Sequence, residues 1–484
     1  MDGKNLALLT DFYELSMANG YFVSGVSEET AYFDYFFRRI PDNGGFAIMA
    51  GLEQLIEYLC DLHFEEDDIA FLRDKGGFDE GFLEYLRNLD FKCDVWSVPE
   101  GTPIFPGEPI ITVRGPMAQA QFIETMLLLL INHQSLIATK ANRIVRAAAG
   151  RPVMEFGTRR AHGAQAAMLG ARAAYIGGCT GTACTITEKD IGIKALGTMA
   201  HSWVQMFPSE YESFKRYAEI YPGNCTLLVD TYNVLKSGIP NAIRVFDEVK
   251  PEKKGVRIDS GDITYFTKKA RQMLDDAGHS DCSIVISNSL DEWLIRDIIL
   301  QGAQIDSFGV GERLITAKSD PVFGGVYKLS GIEKDGTIIP KIKISENVEK
   351  ITEPGFKTLY RLFDKDTNRV LCDVITLSHE PAPSGDDYKI FDPAYTWKRK
   401  KLSNFIAVDL RKQIFSGGKL VYETPGIGEI QTYCREQVDT LWDELLRFEN
   451  PETYYVDLSD ELWRLRHKLI EQSHNEHNNH FYRE

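Results

Sequence analysis

The sequence predicts an α/β protein with a central (β/α) barrel, a β-rich N-terminal region and a smaller C-terminal region. Three observations predict it. Between residues 152 and 311, short apolar runs ending in glycine or polar residues recur: PVMEFG, AAYIGG, TLLVDTY, GVRIDSGD, CSIVISNS and IDSFGVG. Helix-compatible stretches (NAIRVFDEV, YFTKKARQMLDDAG, LDEWLIRDIILQG) separate the last four of these runs. Such alternation marks βα units on a parallel sheet, and their number favours a barrel over an open sheet. The flanks read differently, as Pro/Gly-punctuated strands before the barrel and hairpin-like pieces after it.

The elements follow in order. Residues 31–41, AYFDYFFRRIP, are aromatic-rich and read as a strand. Residues 94–116 carry regular Pro and Gly, as short strands joined by tight turns do. Residues 117–149 have a long helical pattern closed by Gly150, a C-cap residue. Past Gly331, KDGTIIPKIKISEN and RLFDKDTNRVLCDVITL read as hairpins, and TYYVDLSDELWRLRHKLIEQ as a closing helix. The polar end, SHNEHNNHFYRE, is expected to fray. With about 150 residues per domain as a guide, the 484-residue chain divides into 1–150, 151–335 and 336–484.

Composition excludes several classes. The chain is 43% hydrophobic and 26% charged, as soluble globular proteins are. Its 71 acids outnumber its 54 bases, a net charge of −17 that repels nucleic acid and anionic membrane at long range. A local basic pocket for a small anion remains compatible with that balance. The start of the chain has early acids and no apolar core of a signal peptide. The longest apolar run near the middle, residues 126–131, falls far short of the ~20 residues that a membrane helix needs. The 8 cysteines are scattered without a C-x2-C pair, which points to free thiols in a reduced, cytoplasmic compartment.

In a parallel barrel, ligands sit at the carboxyl ends of the strands. That rule gathers Glu155, Thr158, Arg159 and Arg160 at one strand end, Asp230 and Tyr232 at the next, then Arg257, Asp259 and Asp262, then Asn288, and finally Gly309 and Gly311. Guanidiniums chelate phosphate or carboxylate, aspartates hold Mg2+ or ribose hydroxyls, and glycine lets backbone amides approach a phosphate. Together they suit a phosphorylated sugar with magnesium. Each also has a plainer reading: FGVGE as a tight turn, Asp230 or Asp259 as a helix cap, Arg159 and Arg160 as a surface ion-pair site. His201, in GTMAHSWVQ, is either a core histidine or a nucleophilic imidazole. His474, His477 and His480 are evenly spaced but lie in an Asn/Glu-rich tail, which disfavours a metal site.

At these residues the chain resembles the nicotinate phosphoribosyltransferases, nearly end to end. The matching segments are LLTDFYELSMANGY, EFGTRRAHG, GTMAHSWVQ, LVDTYN, GVRIDSGD, ISNSLDE, FGVGERLIT and GGVYKL, in that order. The resemblance implies an irregular (β/α) barrel with an N-terminal α+β domain, in a homodimer with shared active sites. It implies transfer of the phosphoribosyl group of 5-phosphoribosyl 1-pyrophosphate to nicotinate, with Mg2+, coupled to ATP hydrolysis through a phosphohistidine. Carried over motif by motif, His201 is the phosphorylated histidine and Asp259 lies near ribose and metal. Tyr13, from the partner subunit, and Thr198 contact nicotinate, and Arg257 binds its carboxylate or a neighbouring anion. Arg159, Asp230, Gly309, Gly311 and Thr316 hold phosphoribosyl pyrophosphate. The competing readings are a nicotinamide phosphoribosyltransferase and a non-catalytic nucleotide-binding barrel.

Overall fold

The computed structural model describes residues 5–345, 350–391, 393 and 395–481; the side chains of residues 474–481, and with them the tail histidines, lie outside what is described. The chain forms two compact units. One comprises the chain up to Ser135 with Val322–Gly426 and Thr432 onward; the other is Leu136–Pro321 with Ile427–Gln431.

The second unit holds the parallel sheet. We number its strands β1 (Val153–Glu155), β2 (Gly181–Thr182), β3 (Cys225–Leu228), β4 (Lys254–Ile258), β5 (Ser283–Asn288) and β6 (Ser307–Val310). Their spatial order is β2-β1-β6-β5-β4-β3, and every pairing is parallel. This is the chain order wrapped into a curl, with β2 and β3 as its edges. The barrel is irregular because the chain interrupts it there: three helices, Thr185–Ile191, His201–Met206 and Glu210–Ile220, intervene between β2 and β3. Strand interiors such as Ile284 and Ile286 are fully buried, as strands covered on both faces must be. The crossover helices start on side-chain caps. Asp262 accepts from the Tyr265 N–H and Asp291 from the Leu294 N–H, each at 2.9 Å, satisfying donors that the first helical turn leaves open.

Two expectations need correction. AAYIGG is not a strand; its first four residues end the helix Ala164–Ile176, and the strand follows at Gly181–Thr182. The segment AQAAMLGARAAYI is rich in alanine, the best helix former, and its apolar end looks strand-like only because that end is buried. The helix foreseen over 117–149 is divided at Ile123 into Met117–Phe122 and Glu124–Ala147. No helix among the described residues is long and apolar enough to cross a membrane. All eight cysteines are unpaired, and only Cys60 is exposed.

The first unit is built on a seven-stranded antiparallel sheet. Thr30–Phe37 lies inside it, between Ile111–Pro116 and Gly325–Lys334, so segments nearly 300 residues apart in sequence share one ladder. A four-stranded sheet carries Lys357–Asp364 and Val370–Leu377. There Arg361 and Asp373, both fully buried, pair at 2.7 Å. Nearby Glu108 is pushed well above the usual carboxylate range by burial and by the Asp373 charge.

The helix Phe12–Val23 also belongs to this unit, with Tyr13 exposed on it. Tyr13, Met17, Tyr21, Gln121, Glu124 and Lys328 line part of an open cleft of about 410 Å³. Burial, then Glu124, raises the Tyr13 phenol above its ordinary pKa. Beside it Glu14 is fully buried, accepting from the Thr10 hydroxyl and from Thr125 through hydroxyl (2.6 Å) and N–H (3.0 Å). Burial outweighs these bonds and lifts the Glu14 carboxyl from 4.5 to about 7. A carboxyl with a raised folded pKa is stabilising when protonated, so its contribution falls as pH rises from about 4.5 through 7. Glu14→Gln should flatten the thermal midpoint across that window and raise it at pH 8, as differential scanning calorimetry would record.

Candidate active site

The site grows from the carboxyl ends of the barrel strands. Asp230 lies two residues past β3 and Asp259 directly after β4. Asp230 Oδ2 accepts from the backbone N–H of Asp259 at 3.1 Å and from the Ser260 hydroxyl at 2.6 Å. Its other oxygen, Oδ1, is buried and has no hydrogen-bond partner. Asp259 Oδ1 accepts from the hydroxyl of Ser287 on β5. Three successive strand ends are thus joined through two carboxylates. Neither aspartate caps a helix; Asn233 and Asp262 do that work, accepting from Lys236 and Tyr265.

His201 begins the helix His201–Met206, in the interruption between β2 and β3. Its Nδ1 lies 3.1 Å from Thr231 Oγ1 and its Nε2 3.9 Å from Asp259 Oδ2. The ring is 42% exposed, so a reactant can reach it. A core role would bury it.

Arg257, the second-last residue of β4, bonds through Nη1 to the Thr198 hydroxyl. Its Nε is buried without a partner. Burial lowers the guanidinium pKa, Asp259 and Asp230 oppose that shift, and the like charge of Arg159 adds to it. Two cations therefore sit within mutual range, with unused donors. Arg159 itself is exposed in the turn Thr158–Arg160 and makes no ion pair among the described residues. That turn is fixed from below. Glu155, fully buried at the end of β1, accepts from the Gly157 N–H and from Thr182 Oγ at 2.6 Å. Burial holds its carboxyl above the usual range.

The β6 end departs from the simplest reading of its glycines. A Cβ on Gly309 would lie 2.4 Å from the Phe156 ring, and one on Gly311 would lie 3.0 Å from the Phe156 carbonyl oxygen. Gly309 is needed for ring packing, whatever else its backbone does. Thr316 ends the short helix Glu312–Ile315 and donates its hydroxyl to the Glu312 carbonyl at 2.8 Å. Gly309 is the register partner of Ser287, which places the β6 end across β5 from Asp259.

The structure joins His201, Thr198, Arg257, Asp230 and Asp259 by direct contact or close approach, and Arg159 through its charge. Gly309, Gly311 and Thr316 share the same sheet edge. Tyr13 belongs to the first unit. Sequence reasoning missed Thr231, Ser260 and Ser287, the hydroxyls that hold His201 and the aspartates. The signal was present: each stands one or two residues from a strand-end acid or within its run (VDTY, DSGD, ISNS).

A parallel barrel with guanidiniums and carboxylates on its strand ends and an accessible imidazole beside them is the site of an enzyme acting on small molecules. The comparisons make this specific. The nicotinate phosphoribosyltransferase family models match here: the N-terminal domain over residues 8–132, the family's central region over 152–374 and the C-terminal domain over 356–466. A nicotinate phosphoribosyltransferase of Bacillus subtilis is 45% identical over 470 residues, covering 97% of this chain and 96% of that one. A Homo sapiens relative of the same name is 30% identical over 528 residues, covering 96% of each. The crystal structure of human nicotinic acid phosphoribosyltransferase superposes with a TM-score of 0.84 at 28% identity, covering 96% of this chain and 100% of that one. The chain belongs to the nicotinate phosphoribosyltransferase family.

Gly309→Ala should strain the Phe156 contact and cost about 1–3 kcal/mol. A urea-unfolding midpoint would measure this, and adding Phe156→Leu should restore part of the loss.

Proposed function

We propose that this protein transfers the phosphoribosyl group of 5-phosphoribosyl 1-pyrophosphate to the ring nitrogen of nicotinate, yielding nicotinate mononucleotide for NAD biosynthesis and pyrophosphate. The observation that carries this reading is Arg257: a half-buried cation with a free Nε, bonded to Thr198, beside two carboxylates. An anionic base gives that guanidinium a partner. Nicotinamide, the alternative base, offers an amide oxygen but no charge, and a site built for a charged group discriminates strongly against an analogue lacking the charge. A purely nucleotide-binding barrel has no use for a nucleophilic His201 held at the same edge.

In this reading Thr198 and Arg257 orient nicotinate, and Tyr13 stacks on it from the partner subunit of a homodimer. The pyridine lone pair attacks the anomeric carbon, and the bond from that carbon to the pyrophosphate oxygen breaks. No general base is needed. The ribose carbon passes through a cationic state, which the Asp259 carboxylate stabilises. Arg159, Asp230 and the β6 end with Gly309, Gly311 and Thr316 hold the sugar diphosphate. The Thr316 hydroxyl exchanges the Glu312 carbonyl for a phosphate oxygen. Asp230, whose Oδ1 is buried and unpartnered, and Asp259 are the carboxylates that would hold Mg2+, which with pyrophosphate would neutralise leaving-group charge. Eight free thiols suit a cytoplasmic setting.

ATP acts through His201. With Nδ1–H donating to Thr231, the imidazole lone pair lies on Nε2, which takes the γ-phosphoryl group as the bond to the β-phosphate oxygen breaks. Two added negative charges then order the surrounding edge, and hydrolysis of the phosphohistidine reverses the change. The glycosyl transfer itself needs no phosphohistidine.

Purified protein with Mg2+, phosphoribosyl pyrophosphate and either base, with and without ATP, tests the reading. Nicotinate should be strongly preferred, and ATP should stimulate its use. Arg257→Ala should raise the nicotinate KM at least about tens-fold, following the ~2–5 kcal/mol lost with a paired buried charge. His201→Ala should abolish acid-labile labelling from γ-labelled ATP while slow ATP-independent transfer persists. Equal use of nicotinamide, or labelling of a different residue, refutes it.

A further inference from the structure

We infer that Asp291 and Glu292 are positioning residues that clamp both ends of the segment carrying Thr316, and that this clamp sets affinity for the sugar phosphate. The inference rests on the proposed placement of the ribose phosphate at the β6 end.

The two acids stand side by side just after β5, at the start of the helix Glu292–Leu300. Asp291 divides its carboxylate. Oδ1 caps the helix through the Leu294 N–H at 2.9 Å, and Oδ2 pairs with Arg313. Glu292 is fully buried and accepts at Oε1 from Lys140 Nζ at 2.9 Å and from Arg143 Nε at 3.0 Å. Lys140 Nζ also donates to Ser319 Oγ at 2.7 Å. Arg313 and Ser319 stand three residues before and after Thr316. One acid therefore holds the front of the segment directly, and the next holds its rear through a buried lysine.

Between those anchors the backbone is unusual. Ala317 has a φ of 42°, a left-handed conformation that a residue with a Cβ adopts only at a cost. Such a conformation persists when its surroundings over-determine it, and two fixed ends do so. The lysine is informative too. Lys140 and Glu292 side chains are 2% and 0% exposed, and a buried ion pair is no more stabilising than well-packed apolar groups. What the pair adds is direction: a point charge whose several donors reach both Glu292 and Ser319 fixes where the segment's end lies. Arg313 and Ser319 are themselves at or near the surface, so removing their side chains spares the core.

The test uses the full-length protein, ribose 5-phosphate as ligand, and the variants Arg313→Ala, Ser319→Ala and Ser319→Thr. Hydrogen exchange of residues 311–321 should quicken in both alanine variants while the thermal midpoint stays unchanged. If release leaves the competent arrangement populated about a fifth of the time, calorimetric titration should show affinity about five-fold weaker. Ser319→Thr, which keeps the hydroxyl, should restore both readouts. KM for phosphoribosyl pyrophosphate should rise in step, with KM for nicotinate unmoved. Unchanged exchange, or faster exchange with wild-type affinity for ribose 5-phosphate, overturns the clamp. Should the wild type bind ribose 5-phosphate and the variants follow the expected pattern without any nicotinate mononucleotide being formed, the function proposed above fails and the clamp stands. Should transfer occur with all variants at wild-type affinity, the clamp fails and that function stands.

Discussion

One carboxylate oxygen, Asp230 Oδ2, joins the end of β3 to the end of β4 by accepting from the Asp259 backbone and the Ser260 hydroxyl. The rest of the candidate site depends on that tie. With the Asp259 backbone fixed, its side chain reaches Ser287 on one side and His201 on the other. The residue after Asp230, Thr231, takes the second nitrogen of the same imidazole. A parallel sheet supplies ladder hydrogen bonds only within its strands, so where each strand stops, side chains must hold the chain. Here those side chains are also the ones the proposed reaction would use.

Charge is distributed accordingly. In a chain of net charge −17, Arg257 and Arg159 stand close enough to depress the Arg257 guanidinium jointly with burial, and Asp259 and Asp230 offset that penalty. An anionic substrate entering such an edge meets donors already oriented, which is the condition under which electrostatics accelerates a reaction. Elsewhere, Glu108 beside Asp373 and Glu14 near Glu124 are driven toward protonation by burial and like charge.

Much of this was legible in the sequence. The runs after residue 225 are strands, and the helices between them lie where their patterns place them, because short apolar runs and amphipathic stretches alternate at regular spacing. Asp230, Asp259 and Arg257 were found by reading strand ends and His201 separately, in GTMAHSWVQ, and the structure gathers them. What was not legible is non-local. No local pattern announces that Gly325–Lys334 pairs with Thr30–Phe37, or that β2 follows the helix ending at Ile176. The role of Gly309 also depends on where Phe156 folds back, a contact between segments 150 residues apart. The small hydroxyls Thr231, Ser260 and Ser287 passed unnoticed because serine and threonine at a strand end are ordinary turn residues.

The central claim, resting on the proposed function, is that Asp230 would do two things at once: Oδ2 holds the strand ends, and Oδ1 would meet the Mg2+-bound sugar diphosphate. Asp230→Asn separates them, since an amide oxygen can still accept from Asp259 and Ser260 while the charge is gone. Steady-state transfer to nicotinate across a Mg2+ titration, alongside the thermal midpoint, measures the difference. The account predicts an unchanged midpoint, a kcat lower by about a hundred-fold and a higher Mg2+ requirement. A variant with wild-type kcat and wild-type Mg2+ dependence would contradict it.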